Sequence, residues 1–220
     1  MRKKLVRAIL CGFLVFGLAG CGNDTGSDNK PISDDGFNAE KVEKNITVSA
    51  EGMAADKTLV AIVKNDNNSA VELEVEAVFY DVDGNSLGSD TSYLYINKNQ
   101  EMACDFYNVP ENYNDYEINI KASEPIYTNY SDKVEIKDND TGEQLAVQVT
   151  NNAGKDIDSV DVAVVFYQGD KIVGFGSDLA TDLREGQTST SNIYYPYDEN
   201  YDDITYDSYK VFVSAYNLEI

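Results

Sequence analysis

Residues 71–80, VELEVEAVFY, carry an apolar side chain at every second position. A period of two is the mark of a strand with one buried face. The same pattern returns in 157–167, IDSVDVAVVFY. Laying the two segments together with Phe79-Tyr80 on Phe166-Tyr167 assigns the faces. Val71, Leu73, Val75, Ala77 and Phe79 fall on Asp158, Val160, Val162, Val164 and Phe166 and are expected to point inward. Glu72, Glu74 and Glu76 fall on Ser159, Asp161 and Ala163 and are expected to point outward. Upstream, Val60 and Ile62 fall on Val147 and Val149 as a further inward pair, with Asn65 on Asn152.

The match extends along nearly the whole of both halves. INKNQ (96–100) falls on LREGQ (183–187), and ENYND (111–115) on ENYDD (199–203). Tyr116, Ile118, Ile120 and Ala122 fall on Tyr209, Val211, Val213 and Ala215. No segment sustains a helical stripe, and turn signals such as DNN, DG and EG arrive about every ten residues, the spacing of a β-sandwich. The reading is all-β: two tandem antiparallel β-sandwiches, at 39–124 and 132–220, joined by a linker at 125–131.

Two resemblances follow from these residues. Tyr209-x-Val211-x-Val213-x-Ala215-x-Asn217 resembles a fibronectin-III or immunoglobulin strand with its tyrosine corner, although Ile220 follows too soon for the usual next strand. The Asn turn at Asn65 and Asn152, the long strand ending in Phe-Tyr, the Asp83-Gly84 turn and the L-x-x-G step from Leu183 to Gly186 resemble FxLYD-like, Ig-type domains of Gram-positive surface lipoproteins. That family implies a location and no chemistry.

The N-terminus supports the same location. Arg2, Lys3, Lys4 and Arg7 precede an uncharged run from Ala8 to Gly20. Thirteen residues suit a signal-peptide core and fall short of the ~20 needed to span a bilayer. The run ends in Leu18-Ala19-Gly20-Cys21, which resembles the bacterial lipobox. The resemblance implies cleavage of 1–20 and a lipid on Cys21, holding the chain on the extracytoplasmic face of the membrane. Two acyl chains give a stable anchor where one gives a marginal one. Residues 21–38 are rich in Gly, Ser, Asn and Asp and read as a tether, reaching about 20–25 Å as a coil.

Charge narrows the partners. The net charge is −22, and loss of the four basic signal residues takes it to −26. Nucleic acid is excluded as a partner, because its phosphates demand a basic surface. There is no histidine to serve as a base, and acids are too abundant for any pair to signify catalysis. The expected function is therefore non-enzymatic, without a cofactor. The protein is read as a monomeric binding or spacer module. The alternative is an accessory carbohydrate- or peptide-binding lipoprotein meeting a surface protein or glycan. Asp81-x-Asp83-Gly84 reads as a hairpin turn, with weak calcium binding there and at Asp138-Asn139-Asp140 as the other reading. Cys104 alternates with Met102 and Phe106 and reads as a buried, inert thiol.

The stretch YYPYDENYDDITYDSY (194–209) is the one candidate site. Tyr107 reaches Tyr116 in nine steps, while Tyr194 reaches Tyr209 in fifteen. The second repeat thus carries six extra residues, five of them assigned to ITYDS (204–208). Tyrosine with small polar residues suits a recognition loop. Tyr197, Tyr201 and Tyr206 are the expected aromatic anchors, while Tyr116 and Tyr209 are expected to be structural.

Overall fold

The computed structural model describes residues 37–218. The signal segment, Cys21 and all but the end of the tether lie outside that range. The first half forms a short helix α1 (Ala39–Glu43), then β1 (Ile46–Met53), β2 (Leu59–Asn65), β3 (Val71–Tyr80), β4 (Ser86–Ile96), β5 (Glu101–Phe106) and β6 (Asp115–Ser123). The second half forms β7 (Tyr127–Asn129), a 3-10 turn (Ser131–Lys133), β8 (Val134–Asp140), β9 (Gln144–Asn151), β10 (Ile157–Gln168), β11 (Lys171–Leu183), β12 (Thr188–Tyr194) and β13 (Ser208–Leu218). All pairings between these strands are antiparallel. The fold is all-β and Ig-like, repeated twice. In the first sandwich β1-β2-β5 faces β4-β3-β6; in the second β8-β9-β12 faces β11-β10-β13-β7.

The alternation on β3 is reproduced: Val71, Leu73, Val75, Ala77 and Phe79 are all buried. On β10, Asp158 departs from the expectation. It is exposed, and Ile157 fills the inward position opposite Leu183. A carboxylate there would face an apolar core without a counter-charge; from Asn151 to Phe166 the second repeat is one residue longer than the first is from Asn65 to Phe79. Cys104 is inward and buried with Met102 and Phe106, and burial pushes its thiol up to about 12.

The second correction concerns β2. Asn65 corresponds to Asn151, not Asn152, and the offset moves the strand by one residue. Asn65 Nδ2 donates to the carbonyls of Ser69 (2.9 Å), Ile96 (3.3 Å) and Asn97 (3.0 Å), and its Oδ1 accepts from Asn67 N (2.9 Å). Asn151 Nδ2 donates to Lys155 and Leu183 carbonyls (both 2.8 Å), and its Oδ1 accepts from Ala153 N (2.8 Å). The inward residues of β2 are therefore Leu59, Ala61 and Val63, matching Leu145, Val147 and Val149. Val60 and Ile62 point out of the first sandwich, because a one-residue slip exchanges faces.

They are buried all the same. Val60, Ile62 and Ala103 share one apolar cluster with Ala163, Val165, Ile172 and Phe212 of the second sandwich. The outer faces of sheets β1-β2-β5 and β11-β10-β13 thus close on each other. Ala163, expected on the solvent side, is covered by this contact. The described residues consequently form one compact unit.

The segment 125–131 is not a free linker. β7 pairs with β13 through Tyr216↔Asn129, Asn217↔Thr128 and Leu218↔Tyr127. It occupies the sheet edge where an Ig domain carries its last strand. Tyr95, Tyr127 and Tyr216 cluster at the junction, with ring centroids 4.2–5.0 Å apart. Ser214 Oγ donates across it to the Tyr95 carbonyl. In the first sandwich the β6 side is met by α1, where Glu43 accepts the Ala122 N–H at 2.9 Å.

Asn65→Ala or Asn151→Ala leaves buried turn and strand groups unpaired, and each is expected to cost about 2–4 kcal/mol in urea unfolding. A loss below about 0.5 kcal/mol would show that these amides are not the pins of the turn.

Candidate functional site

Six extra residues do enter the second repeat, but not at 204–208. Tyr206 and Tyr209 repeat the packing of Tyr113 and Tyr116. Phe79 meets Tyr113 at 5.8 Å and Tyr116 at 6.5 Å, and Phe166 meets Tyr206 at 4.9 Å and Tyr209 at 6.3 Å. The Asn114 N–H donates to the Tyr80 carbonyl at 2.7 Å, and the Asp207 N–H to that of Tyr167 at 2.9 Å. Six steps separate Tyr107 from Tyr113, and twelve separate Tyr194 from Tyr206. The whole insertion therefore lies before Tyr206, in the loop around 197–203.

Tyr206 is accordingly part of the fold. It is half-buried against the second core, and its hydroxyl donates to Asp140 at 3.0 Å. Tyr195 donates to the other oxygen of Asp140, which holds that carboxyl below its usual range. Tyr209 donates to Asp138, as Tyr116 does to Glu51 at 3.2 Å. The Asp138 bond, with desolvation second, pushes the Tyr209 phenol up to about 12. Both tyrosines tie one sheet to the other by a hydroxyl–carboxylate bond, where a tyrosine corner would bond backbone. Asp138 and Asp140 of β8 are thus engaged by phenols. Among the described residues no group of three or more Cys, Asp or Glu is gathered as a metal site would require.

What remains at the surface is a small hairpin. Tyr197 bridges Asp203, and the Ile204 N–H donates to the Pro196 carbonyl at 2.8 Å. Asp198 Oδ1 accepts from Asn200 N (2.8 Å) and Asp202 N (3.0 Å), and these bonds, Asp202 first, hold its carboxyl below the usual carboxylate range. The same five-residue turn closes β3 to β4: Asp81 Oδ1 accepts from Asp83 N (2.9 Å) and Asn85 N (2.8 Å). In that turn the fourth place is Gly84, at φ +83°; in the hairpin it is Tyr201, at φ +65°. A glycine bears this conformation freely, whereas a bulky side chain pays about 1 kcal/mol or more.

Tyr201 and Tyr197 stack at 5.5 Å and 24°, and they are 82% and 41% exposed. With Tyr194, Tyr195, Asp203, Gly142 and Glu143 they line a cleft of about 500 Å³. Two of the three expected anchors are thereby brought together, and Tyr194, 74% exposed, joins them. The sequence signal for Tyr194 was its outward place after the inward Ile193. The hairpin rests on Pro196, which seats over Gly174 of β11. It also reaches the first sandwich through a Lys57–Glu199 ion pair.

No family model matches this chain, and no curated protein matches it. Among solved structures, red sea bream transglutaminase aligns over 76% of this chain and 28% of its own, at 10% identity and a TM-score of 0.20. A similarity that slight brings no activity to the site.

Gly174→Ala would set a Cβ 2.3 Å from Pro196 Cβ. Overpacking of this kind is expected to cost about 1–3 kcal/mol and to shift the hairpin. Thermal unfolding, together with the backbone amide shifts of 197–203, measures both effects.

Proposed function

We propose that the protein is a lipid-anchored, extracytoplasmic, non-catalytic binding module, a double sandwich that displays the tyrosine hairpin. The observation that carries this reading is Tyr201. The fold builds the same turn with glycine at Gly84, so the hairpin itself does not require an aromatic side chain there. A strained tyrosine held open to solvent and stacked on a second one is intelligible as a contact surface. The first sandwich forms without the insertion, so the extra hairpin adds a surface and not a fold. An apolar seam between the sandwiches, in place of a linker, would keep that surface pre-organised, which lowers the cost of binding.

The anchor belongs to the same proposal and rests on the L-A-G-C motif. Cys21→Ser removes the sulfur on which the lipid would form. Metabolic labelling with a fatty acid is expected to mark the parent protein and not the variant; label on the variant would end the lipoprotein reading.

Tyr201→Gly separates binding from folding. Relief of the positive φ leaves the melting temperature equal or higher, while loss of the exposed ring removes the partner captured on full-length protein. Undiminished capture would place binding elsewhere on the protein and leave the hairpin without a role. Excision of 204–208 is not a usable test, because it would remove the core side chain of Tyr206.

A further inference from the structure

We propose that the cleft beside the hairpin takes a cationic segment of a partner protein, one bearing arginine or lysine. This rests on the binding reading given above and names the chemistry of its ligand. The cleft has two kinds of wall. One is aromatic: the stacked rings of Tyr197 and Tyr201, with Tyr194 and Tyr195 beside them. The other is acidic: Glu143 on the β8–β9 turn and Asp203 at the hairpin base. Neither Lys nor Arg lines it. Among the described residues the lysine tied to the hairpin, Lys57, is paired with Glu199.

Both walls favour positive charge. The π faces carry negative potential and attract a guanidinium or ammonium stacked on them, and the carboxylates accept its N–H groups. The chain as a whole adds a field of the same sign, at a net charge of −22. That field repels phosphate- or carboxylate-bearing ligands and speeds encounter with basic ones. A neutral glycan could stack on the rings but would make no use of the charge.

The local structure keeps these acids available. Asp140 and Asp138 are occupied by tyrosine hydroxyls and Asp198 by the backbone of its own turn. Glu143 and Asp203 are exposed at the cleft edge. Arginine fits better than lysine, because its planar fork can lie on a ring and reach a carboxylate at once.

The experiment uses full-length protein in neutral detergent at 150 mM salt. The probes are a fluorescent peptide of alternating glycine and arginine, its lysine and glutamate counterparts, and a chitin oligosaccharide. The arginine peptide is expected to bind tightest, lysine next, and the glutamate peptide and the sugar not at all. Tyr197→Ala with Tyr201→Ala leaves the net charge unchanged and is expected to weaken the arginine peptide about fivefold to tenfold. Glu143→Gln, on the β8–β9 turn and outside the hairpin itself, is expected to weaken it about twofold to threefold and to flatten its salt dependence. Equal binding by all variants would mean diffuse attraction to an acidic protein and would overturn the site. Sugar bound through the tyrosines, with no peptide bound, would overturn the cationic ligand and leave the binding module standing. Neither peptide nor sugar bound, with partner capture indifferent to Tyr201, would overturn both the cleft and the hairpin's binding role.

Discussion

The structure depends on one seam, the contact between the outer faces of its two middle sheets. Strand β2 is apolar on both sides: Leu59, Ala61 and Val63 fill the first core, and Val60 and Ile62 meet Ala163, Val165, Ile172 and Phe212. Each Val, Leu, Ile or Phe among them contributes about 1.5–3 kcal/mol when fully buried, and each alanine less. A seam of this composition resembles a domain core more than the polar interfaces usual between domains of one chain. Two sandwiches that would otherwise swing on a linker become a single body, and the hairpin acquires a fixed position relative to both.

The repeat succeeds because each copy solves the same local problems in the same way. A buried Asn pins the turn after the second strand, and a Phe meets a pair of tyrosines three residues apart at steep ring angles. A phenol then closes the sandwich onto a carboxylate of the first strand. These are polar groups satisfied inside an apolar setting, where an unmade bond costs more than a made one returns. They also explain why so many acids and tyrosines coexist. Several of the pairs that look like binding chemistry in the sequence are structural bonds between sheets.

What could be read from the sequence followed from how many faces a strand buries. β3 buries one face fully and shows it as strict alternation, so its register was legible. β2 buries both, and five apolar residues in a row carry no phase, which is why Val60 and Ile62 were turned the wrong way. Asp158 is misplaced because the second repeat carries one more residue between Asn151 and Phe166 than the first does between Asn65 and Phe79, which a gapless comparison cannot show. The insertion was legible in length and not in position. ENYND and ENYDD are similar as text, yet Tyr113 is matched in packing by Tyr206. Composition alone does not separate a tyrosine over a core phenylalanine from one at a turn tip. The signal for Tyr201 was available in a different form: Asp198-Glu199-Asn200-Tyr201-Asp202 is the Asp81–Asn85 turn with its glycine replaced.

Strand β7 has a mechanical consequence. It precedes the second sandwich in the chain yet borders β13, near the far end of the sequence. Tension applied between the N-terminal segment and the hairpin would enter the second sandwich through β7. Its ladder with β13 is only three residues long, but the ring cluster of Tyr95, Tyr127 and Tyr216 sits over it and the apolar seam lies alongside. A load would therefore be shared by strand, rings and seam together, and the second sandwich would not yield by paying out a slack connector. Stiffness under load is thereby set by the same contacts that set the fold.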